Sequence, residues 1–262
     1  KMAFTVHAVM PGVWHIVDCM GVCMTLLEGE NAAMLVDTGY GIEDVADFMR
    51  HMTDLPLTVF LTHNHHDHAM GARCFPETYM LEADMADWRM FTNDEMRRRV
   101  LTQAIGKNLP VDEKTFLAGE IPLPKVMKPG LIDLGGLTAE IIEAPGHTPG
   151  SAVVYVPERK LLLSGDDWNP CTWLFFPQAL GLREYRSNMR GIQQLPFEKV
   201  LCPHREALYD RWMFDDFFNA LTDGNLRAAE PVNIAPYEQI DTCQATLPHD
   251  QVLVFDWAKS GL

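Results

Sequence analysis

The stretch that decides the fold of this chain reads Thr62-His63-Asn64-His65-His66-Asp67-His68. It follows the apolar run Val59-Phe60-Leu61, whose β-branched and aromatic side chains predict a short buried strand. The imidazoles and the carboxylate therefore begin where a strand ends, on a rigid support that faces a cleft. His63 and His65 can bind one cation together, whereas Asp67 and His68 lie far enough along to bind a second. A histidine-rich surface turn with weak metal affinity is the ordinary alternative.

Three further residues of the metal-binding type each follow an apolar run. His147 follows Ile141-Ile142, Asp166 follows Leu161-Leu162-Leu163, and His204 follows Val200-Leu201. Ligands at the carboxyl ends of strands are the general arrangement in open α/β sheets. A lone histidine after a strand is usually an ordinary polar residue, but four such strand ends in one chain indicate a shared metal site. Imidazole and carboxylate ligands favour zinc, with iron or manganese as the alternatives.

In order along the chain, four motifs resemble the metallo-β-lactamase superfamily: His-x-His-x-Asp-His at 63–68, Pro-Gly-His-Thr-Pro-Gly at 145–150, Ser-Gly-Asp at 164–166, and the late His204. The earlier run Met34-Leu35-Val36-Asp37-Thr38-Gly39 is similar to a strand and turn of the same family. The resemblance covers about residues 33 to 204. It implies an α/β fold, an αββα sandwich of the metallo-β-lactamase type, with a two-metal centre at one edge.

The resemblance also implies a ligand set, carried over residue by residue. One metal ion would bind His63, His65 and His147, a second would bind Asp67, His68 and His204, and Asp166 would bridge the two. Asp37 would support the ligands from behind, and Asp167 would either line the pocket or support the site. The expected cofactors are therefore two divalent metal ions, most readily zinc, with iron or manganese possible.

Such a ligand set indicates hydrolysis. Two metal ions about 3.5–4 Å apart can share a water that is substantially ionised near pH ~7, so no serine or cysteine nucleophile is needed. We expect a dinuclear metallo-hydrolase in which a metal-bridging hydroxide cleaves an ester, thioester, lactone or related bond of a small substrate. Asp67 and Asp166 are the candidate catalytic residues, and Asp67 can receive the proton that the hydroxide gives up.

Within the family, the chain is similar to the hydroxyacylglutathione hydrolase and lactonase-like branch, since β-lactamases generally lack the bridging aspartate that Asp166 supplies. Two other classes remain open. One is an oxidoreductase similar to the mononuclear-iron persulfide dioxygenases, and the other is a non-catalytic metal-binding sensor. The complete ligand set argues against the sensor. Metal content and oxygen uptake on a persulfide would separate the oxidoreductase from a hydrolase.

A segment from about residue 81 to 130 lies between the two halves of the chain. We expect it to be a helical insertion within a single domain that spans residues 1–262. Its apolar residues have near-helical spacing from Met85 to Ile105, with a break around Thr92-Asn93. Such a face usually packs in the core, and a cap over the metal site or a subunit interface is the alternative.

Elsewhere the pattern predicts strands near 13–17, 24–27 and 33–36, and helices over about 42–52 and 205–221.

A second aromatic stretch, from Asp167 to Phe176, follows directly after Asp166. Either it packs as core, or it lines an apolar pocket beside the metals. We expect this stretch and the insertion to face the metal centre from opposite sides. The candidate pocket residues are Trp88, Phe91, Trp168, Trp173, Phe176 and Arg183.

Charge and composition restrict the partners. The formal net charge is −15 and the chain has no Lys/Arg-rich run, which argues against nucleic acid. No stretch is long and apolar enough to span a membrane, and the first residues lack a signal-peptide pattern. The six cysteines are scattered without a disulfide framework. We expect a cytoplasmic enzyme with a small-molecule substrate, and the sequence indicates no particular oligomeric state.

Overall fold

The short apolar runs of the sequence form strands whose two faces are both covered. In a computed structural model, which describes residues 4–262, the strands Ala33–Val36, Ala152–Val156 and Leu161–Leu163 are buried along their whole length. Strands that are covered on both faces read as continuous apolar runs rather than as alternating ones. This pattern places these three strands in the middle of a layered molecule.

The first sheet has seven strands that follow one another in chain order. Its first four strands pair antiparallel and the remaining pairings are parallel. The strands are β1 (Thr5–Met10), β2 (Val13–Val17), β3 (Cys23–Glu28), β4 (Ala33–Val36), β5 (Leu57–Phe60), β6 (Tyr79–Met80) and β7 (Lys125–Val126).

The second sheet has six strands, in the order β14-β13-β11-β10-β9-β8. They are β8 (Gly130–Asp133), β9 (Thr138–Glu143), β10 (Ala152–Val156), β11 (Leu161–Leu163), β13 (Lys199–Leu201) and β14 (Tyr209–Asp210). A third sheet of four strands has the order β12-β17-β16-β15. It consists of β12 (Cys171–Leu174), β15 (Glu230–Pro231), β16 (Thr242–Leu247) and β17 (Gln251–Asp256).

Eight α-helices cover these sheets in the described part of the chain. They are α1 (Val45–Met52), α2 (His66–Ala69), α3 (Trp88–Thr92), α4 (Asp94–Gly106), α5 (Glu113–Phe116), α6 (Leu182–Ile192), α7 (Arg211–Asn219) and α8 (Asp223–Arg227). None of the helices in residues 4–262 combines the length and the apolar character that a membrane crossing requires.

Packing between the layers gives the αββα sandwich. The first and second sheets bury a shared core between them, which includes Phe60 from β5, Ile141 from β9 and Val154 from β10. Helix α1 packs on the outer face of the first sheet, and α6 and α7 pack on the outer face of the second. The αββα fold predicted from the sequence is therefore confirmed.

The insertion between the halves is helical and is divided where the sequence predicts a break. Helix α3 ends at Thr92, and Asn93 caps α4 because its side chain accepts a hydrogen bond from the Met96 amide. The apolar side of α4 and α5 packs against the segment that follows β5, including Leu61 and Met70. Most of the insertion's apolar face is therefore core.

The helix expected over residues 205–221 is shorter than predicted. Tyr209 and Asp210 form β14, which pairs antiparallel with Val200 and Lys199 at the edge of the second sheet. Helix α7 begins only at Arg211. Backbone pairing with β13 requires an extended chain, so it overrides the helical preference of the residues before Arg211.

Candidate metal centre

Five strands end at the same edge of the sandwich, and each is followed by a predicted site residue. Asp37 follows β4, the 63–68 segment follows β5, His147 follows β9, Asp166 follows β11 and His204 follows β13. The two sheets join at this edge because the Ala152 amide at the start of β10 donates to the Thr62 carbonyl. The side chains therefore converge from both sheets.

His63, His65 and His147 form one cluster of possible ligands. All three are buried, and each offers one nitrogen within 4.8 Å of the others. The Nε2 atom of His147 lies 2.9 Å from Nδ1 of His65, and the rings of His63 and His147 have centroids 4.9 Å apart. Three imidazoles whose nitrogens converge on one point are typical of a transition-metal site.

Asp67, His68 and His204 form a second cluster of the same size. The Oδ2 atom of Asp67 lies 3.6 Å from Nε2 of His68 and 3.7 Å from Nε2 of His204. This cluster has one carboxylate and two imidazoles, so it offers a mixed oxygen and nitrogen ligand set.

A single oxygen of Asp166 lies between the two clusters. Its Oδ2 atom is 3.1 Å from Nε2 of His204, 3.3 Å from Nε2 of His68, 3.5 Å from Nε2 of His147 and 4.0 Å from Nε2 of His63. The structure thus brings the seven candidate ligands together, with Asp166 in contact with members of both clusters.

The centre has buried polar atoms that lack a hydrogen-bond partner within residues 4–262. They include Nε2 of His63, Nε2 of His68 and Oδ1 of Asp166. Buried polar atoms nearly always have a partner, so several unsatisfied atoms at one point need an explanation. Metal ions between the two clusters would satisfy these atoms, and the donor set therefore fits divalent metals.

Burial and charge set the protonation of the ligands. Burial lowers the pKa of His63 and His65 well below the usual range and also lowers the pKa of His147, which keeps these rings neutral and able to bind metal. Burial alone would raise the pKa of Asp67, but the neighbouring His68 and other imidazoles hold it at about 2. The Asp67 carboxylate is therefore ionised at neutral pH.

Two of the ligand rings are held in place from behind. Oδ2 of Asp37 lies 3.0 Å from Nδ1 of His68, and the same carboxylate accepts hydrogen bonds from the amide and the hydroxyl of Thr62. Nδ1 of His147 lies 2.6 Å from the carbonyl oxygen of Trp173 in β12. Each contact uses Nδ1, so Nε2 of the same ring is directed at the centre.

A cavity of about 390 Å³ opens over both clusters. Phe91 and Met96 from the insertion lie on one wall, and Trp173 and Phe176 lie on another. The rings of Phe91 and Phe176 approach the ring of His65 to 4.5 and 4.8 Å between centroids. The imidazole of His65 is thus enclosed by aromatic side chains from two separate segments.

The cavity wall that contains Phe176 is held in place by hydrogen bonds from Lys259, which lies in the 3₁₀ turn Trp257–Lys259. The Nζ atom of Lys259 donates to the carbonyl oxygens of Pro177 at 2.6 Å, Ala179 at 3.0 Å and Phe176 at 3.4 Å. One ammonium group therefore binds three carbonyl oxygens of the loop that follows β12.

Three of the predicted pocket residues, Phe91, Trp173 and Phe176, line the cavity, whereas Trp88, Trp168 and Arg183 do not. Trp88 is 0% exposed and packs with Leu61 and Met70 in the core beneath the insertion. Its predicted position facing the metal centre is wrong, because α3 directs it inward while Phe91 points to the cavity.

The predicted pocket positions of Trp168 and Arg183 are also wrong, and the packing of the two side chains explains why. Trp168 is fully buried under the second sheet, where its Nε1 donates to Gln251 Oε1 and its ring contacts Phe214. Arg183 lies on the exposed side of α6. Asp167 is buried and accepts the His147 amide through Oδ1, so it supports the loop and does not line the cavity.

Several cavity residues were not among the predicted ones: Tyr40, Met96, Asn169, Cys171, Arg205 and Tyr237. Tyr40 and Arg205 could have been found, since each lies within a few residues of a site residue at a strand end. Tyr237 comes from the segment between β15 and β16, and its sequence surroundings carry no sign of the metal centre.

Comparisons with known proteins agree with this geometry. A family model described as the metallo-beta-lactamase superfamily matches residues 17–204. A curated relative, the acyl-coenzyme A thioesterase MBLAC2 of Gallus gallus, is 26% identical over 68% of this chain and 70% of its own length. Among solved structures, a metallo-beta-lactamase from Pontibacter korlensis is 18% identical over 84% of this chain and 99% of its own, with a TM-score of 0.60. The sec-alkylsulfatase Pisa1 from Pseudomonas sp. is 15% identical over 85% of this chain and 43% of its own, with a TM-score of 0.61.

Proposed function

This chain belongs to the metallo-β-lactamase superfamily and is a metal-dependent hydrolase, and from that starting point we propose that it is a two-metal hydrolase of small acyl esters or thioesters. The observation that carries the proposal is the position of Asp166 Oδ2 between two clusters of three ligands each. A single-metal site would need only one of these clusters. The aromatic cavity above them supports an apolar acyl group.

The ligands would divide between two ions. His63, His65 and His147 would hold the first ion, Asp67, His68 and His204 would hold the second, and Asp166 would contact both. When bound, such ions act as Lewis acids and lower the pKa of a coordinated water to about 7. Zinc is our first choice for both positions on ligand type, with iron or manganese as alternatives.

The remaining steps belong to side chains of this protein. Neighbouring imidazoles outweigh burial and hold the pKa of Asp67 at about 2, so its carboxylate is ionised at neutral pH and can accept a hydrogen bond at the centre. Burial, together with the nearby carboxylates of Asp67 and Asp18, raises the pKa of Tyr40. Its phenol therefore stays protonated and can donate a hydrogen bond to a bound substrate. The aromatic walls exclude water from the acyl group.

Two observations support an acyl thioester or ester over nucleic acid. The cavity walls near His65 are apolar, with Phe91, Phe176 and Trp173 among them. The formal net charge of −15 disfavours nucleic acid at long range. The similarity to an acyl-coenzyme A thioesterase adds a reason to place thioesters first among the candidate substrates.

The test is a hydrolysis screen on the zinc-loaded protein, with acyl thioesters, oxyesters, lactones and phosphodiesters of matched size. We expect turnover of apolar acyl thioesters or esters, and we expect Asp166→Asn to reduce it by roughly 100-fold or more, because loss of a direct ligand costs more than loss of a supporting contact. Asp223→Asn is the control, since Asp223 is exposed and pairs with Arg186 at the surface, away from the residues that line the cavity.

Two results would contradict the proposal. One is full activity of Asp166→Asn. The other is oxygen uptake on a persulfide without any hydrolysis, which would assign the centre to an oxidoreductase. Elemental analysis of the parent protein should give two metal ions per chain, and a single ion would remove the two-metal part of the proposal.

A further inference from the structure

One buried carboxylate of the insertion contacts both loops of the first ligand cluster. Asp84 lies in a 3₁₀ turn, Glu82–Asp84, just before α3, and it is 1% exposed. Its Oδ2 atom accepts hydrogen bonds from the Asn64 amide at 3.1 Å and from the Thr148 hydroxyl at 2.8 Å. Its Oδ1 atom accepts the Gly150 amide at 2.6 Å.

The partners of Asp84 stand beside the ligands and are not ligands themselves. Asn64 separates His63 from His65, and Thr148 follows His147 directly. The side-chain amide of Asn64 also donates to the Asp84 carbonyl oxygen at 2.9 Å. A single residue thus holds the backbone of both loops from the side away from the cavity.

The fit around Asp84 is too tight for alternative residues at Gly150. A Cβ atom at Gly150 would lie 2.6 Å from the Asp84 amide nitrogen and 2.7 Å from its carboxylate. Only glycine allows this approach. Because a buried carboxylate needs several donors, the two loops are also tied to Asp84 energetically.

We propose that Asp84 is a positioning residue that sets the separation of the 63–65 loop from the 147–150 loop, and with it the metal affinity of the first cluster. The inference rests on the proposed function only in requiring that the clusters bind metal. Asp37 holds the second cluster in the corresponding way, through His68. Asp37 also reaches the first cluster, because Thr62 donates to it and lies 3.1 Å from Nδ1 of His63, so only Asp84 is confined to the loops of the first cluster.

The experiment measures zinc affinity by competition with a chromophoric chelator in two backgrounds. His204→Ala leaves the first cluster intact, and His147→Ala leaves the second. We expect Asp84→Asn to weaken zinc binding about 10- to 100-fold in the His204→Ala background. In the His147→Ala background we expect a change of less than about 3-fold. In Asp84→Asn, the side-chain NH₂ group would face hydrogen-bond donors where a carboxylate oxygen had accepted them. The lost hydrogen bonds should let the two loops separate, while every metal ligand stays in the chain.

Asp37→Asn is the matched control, and it should weaken zinc binding in the His147→Ala background, where Asp84→Asn does not, because Asp37 contacts His68 directly. Thr148→Val is a second variant, which removes one donor to Oδ2 and keeps the Asp84 carboxylate, so it serves if Asp84→Asn fails to fold. Equal losses in both backgrounds, or none, would overturn the inference while leaving the proposed function intact. If the parent protein binds no zinc, iron or manganese, the proposed function fails and the inference fails with it.

Discussion

At the residue scale, Trp88 and Trp173 have opposite surroundings although both lie in aromatic segments near the centre. Trp173 is 38% exposed and lines the cavity, whereas Trp88 is fully buried. We expect Trp173→Ala to raise KM for an apolar acyl substrate about 10-fold, since part of an indole's apolar contact is lost. Metal content should stay unchanged. Steady-state kinetics and elemental analysis measure the two quantities.

The matched variant Trp88→Ala should act on stability instead. Truncating a fully buried tryptophan costs about 3–5 kcal/mol. Denaturant unfolding should show this loss, and KM of the folded fraction should change little. A large KM effect from Trp88→Ala with normal stability would contradict the placement of Trp88 in the core.

The two tryptophans show how far the surroundings of a single residue can be predicted from the sequence. The seven candidate ligands could be chosen because each follows an apolar run, and strand ends of one sheet edge meet in space. Trp88 and Phe91 are three residues apart in the same helix, yet one is core and the other faces the cavity. The rotation of α3 about its axis depends on its packing against Leu61 and Met70, which the local pattern does not contain.

At the element scale, the loop after β12 depends on Lys259. Replacing Lys259 with Met keeps the aliphatic stem but leaves the carbonyls of Phe176, Pro177 and Ala179 without their donor. We expect a loss of about 1–2 kcal/mol of stability, a discounted value for a partly exposed group. KM should rise several-fold because Phe176 shifts, while zinc content stays constant.

The control for Lys259 is Lys160→Met. Lys160 pairs with Glu198 at the surface, and exposed pairs contribute about 0–1 kcal/mol. Equal effects of the two lysine variants on KM would contradict a specific role of Lys259 in the cavity wall.

Local elements were predicted better than distant pairings. The strands at 13–17 and 33–36 match β2 and β4, and the break at Asn93 is the N-cap of α4. Their patterns are set within a few residues. The third sheet was not predicted, because β12 and β17 pair across a long stretch of chain. β14 replaced the start of the expected helix because Tyr209 and Asp210 pair with β13, and the helical pattern of residues 205–221 does not contain that pairing.

At the scale of the whole molecule, the metal centre links strands of both sheets. Bound metals should therefore stabilise the entire fold. A ligand present at about 1,000 times its Kd adds about 4 kcal/mol, and for a chain of this size 1 kcal/mol shifts Tm by about 2–4 °C. We expect removal of metal by a chelator to lower Tm by roughly 8–16 °C, measured by calorimetry, with recovery on adding zinc.

His204→Ala should show a smaller chelator effect than the parent, since only the first cluster remains complete. An unchanged Tm after verified metal removal would mean that the two sheets are held at this edge without the metals. The direct hydrogen bond from Ala152 to Thr62 would then be the main connection there.

The pairing of β12 with β17 also bears on how the centre matures in the cell. The Trp173 carbonyl that orients His147 belongs to β12, and β12 has its parallel partner only in β17. Domains fold as the chain emerges from the ribosome, N-terminal parts first. All seven candidate ligands are synthesised before β17, so a nascent chain carries the complete ligand set while the strand that orients His147 is still unpaired. We expect correct metal loading to wait until β17 has been made and has added to β12.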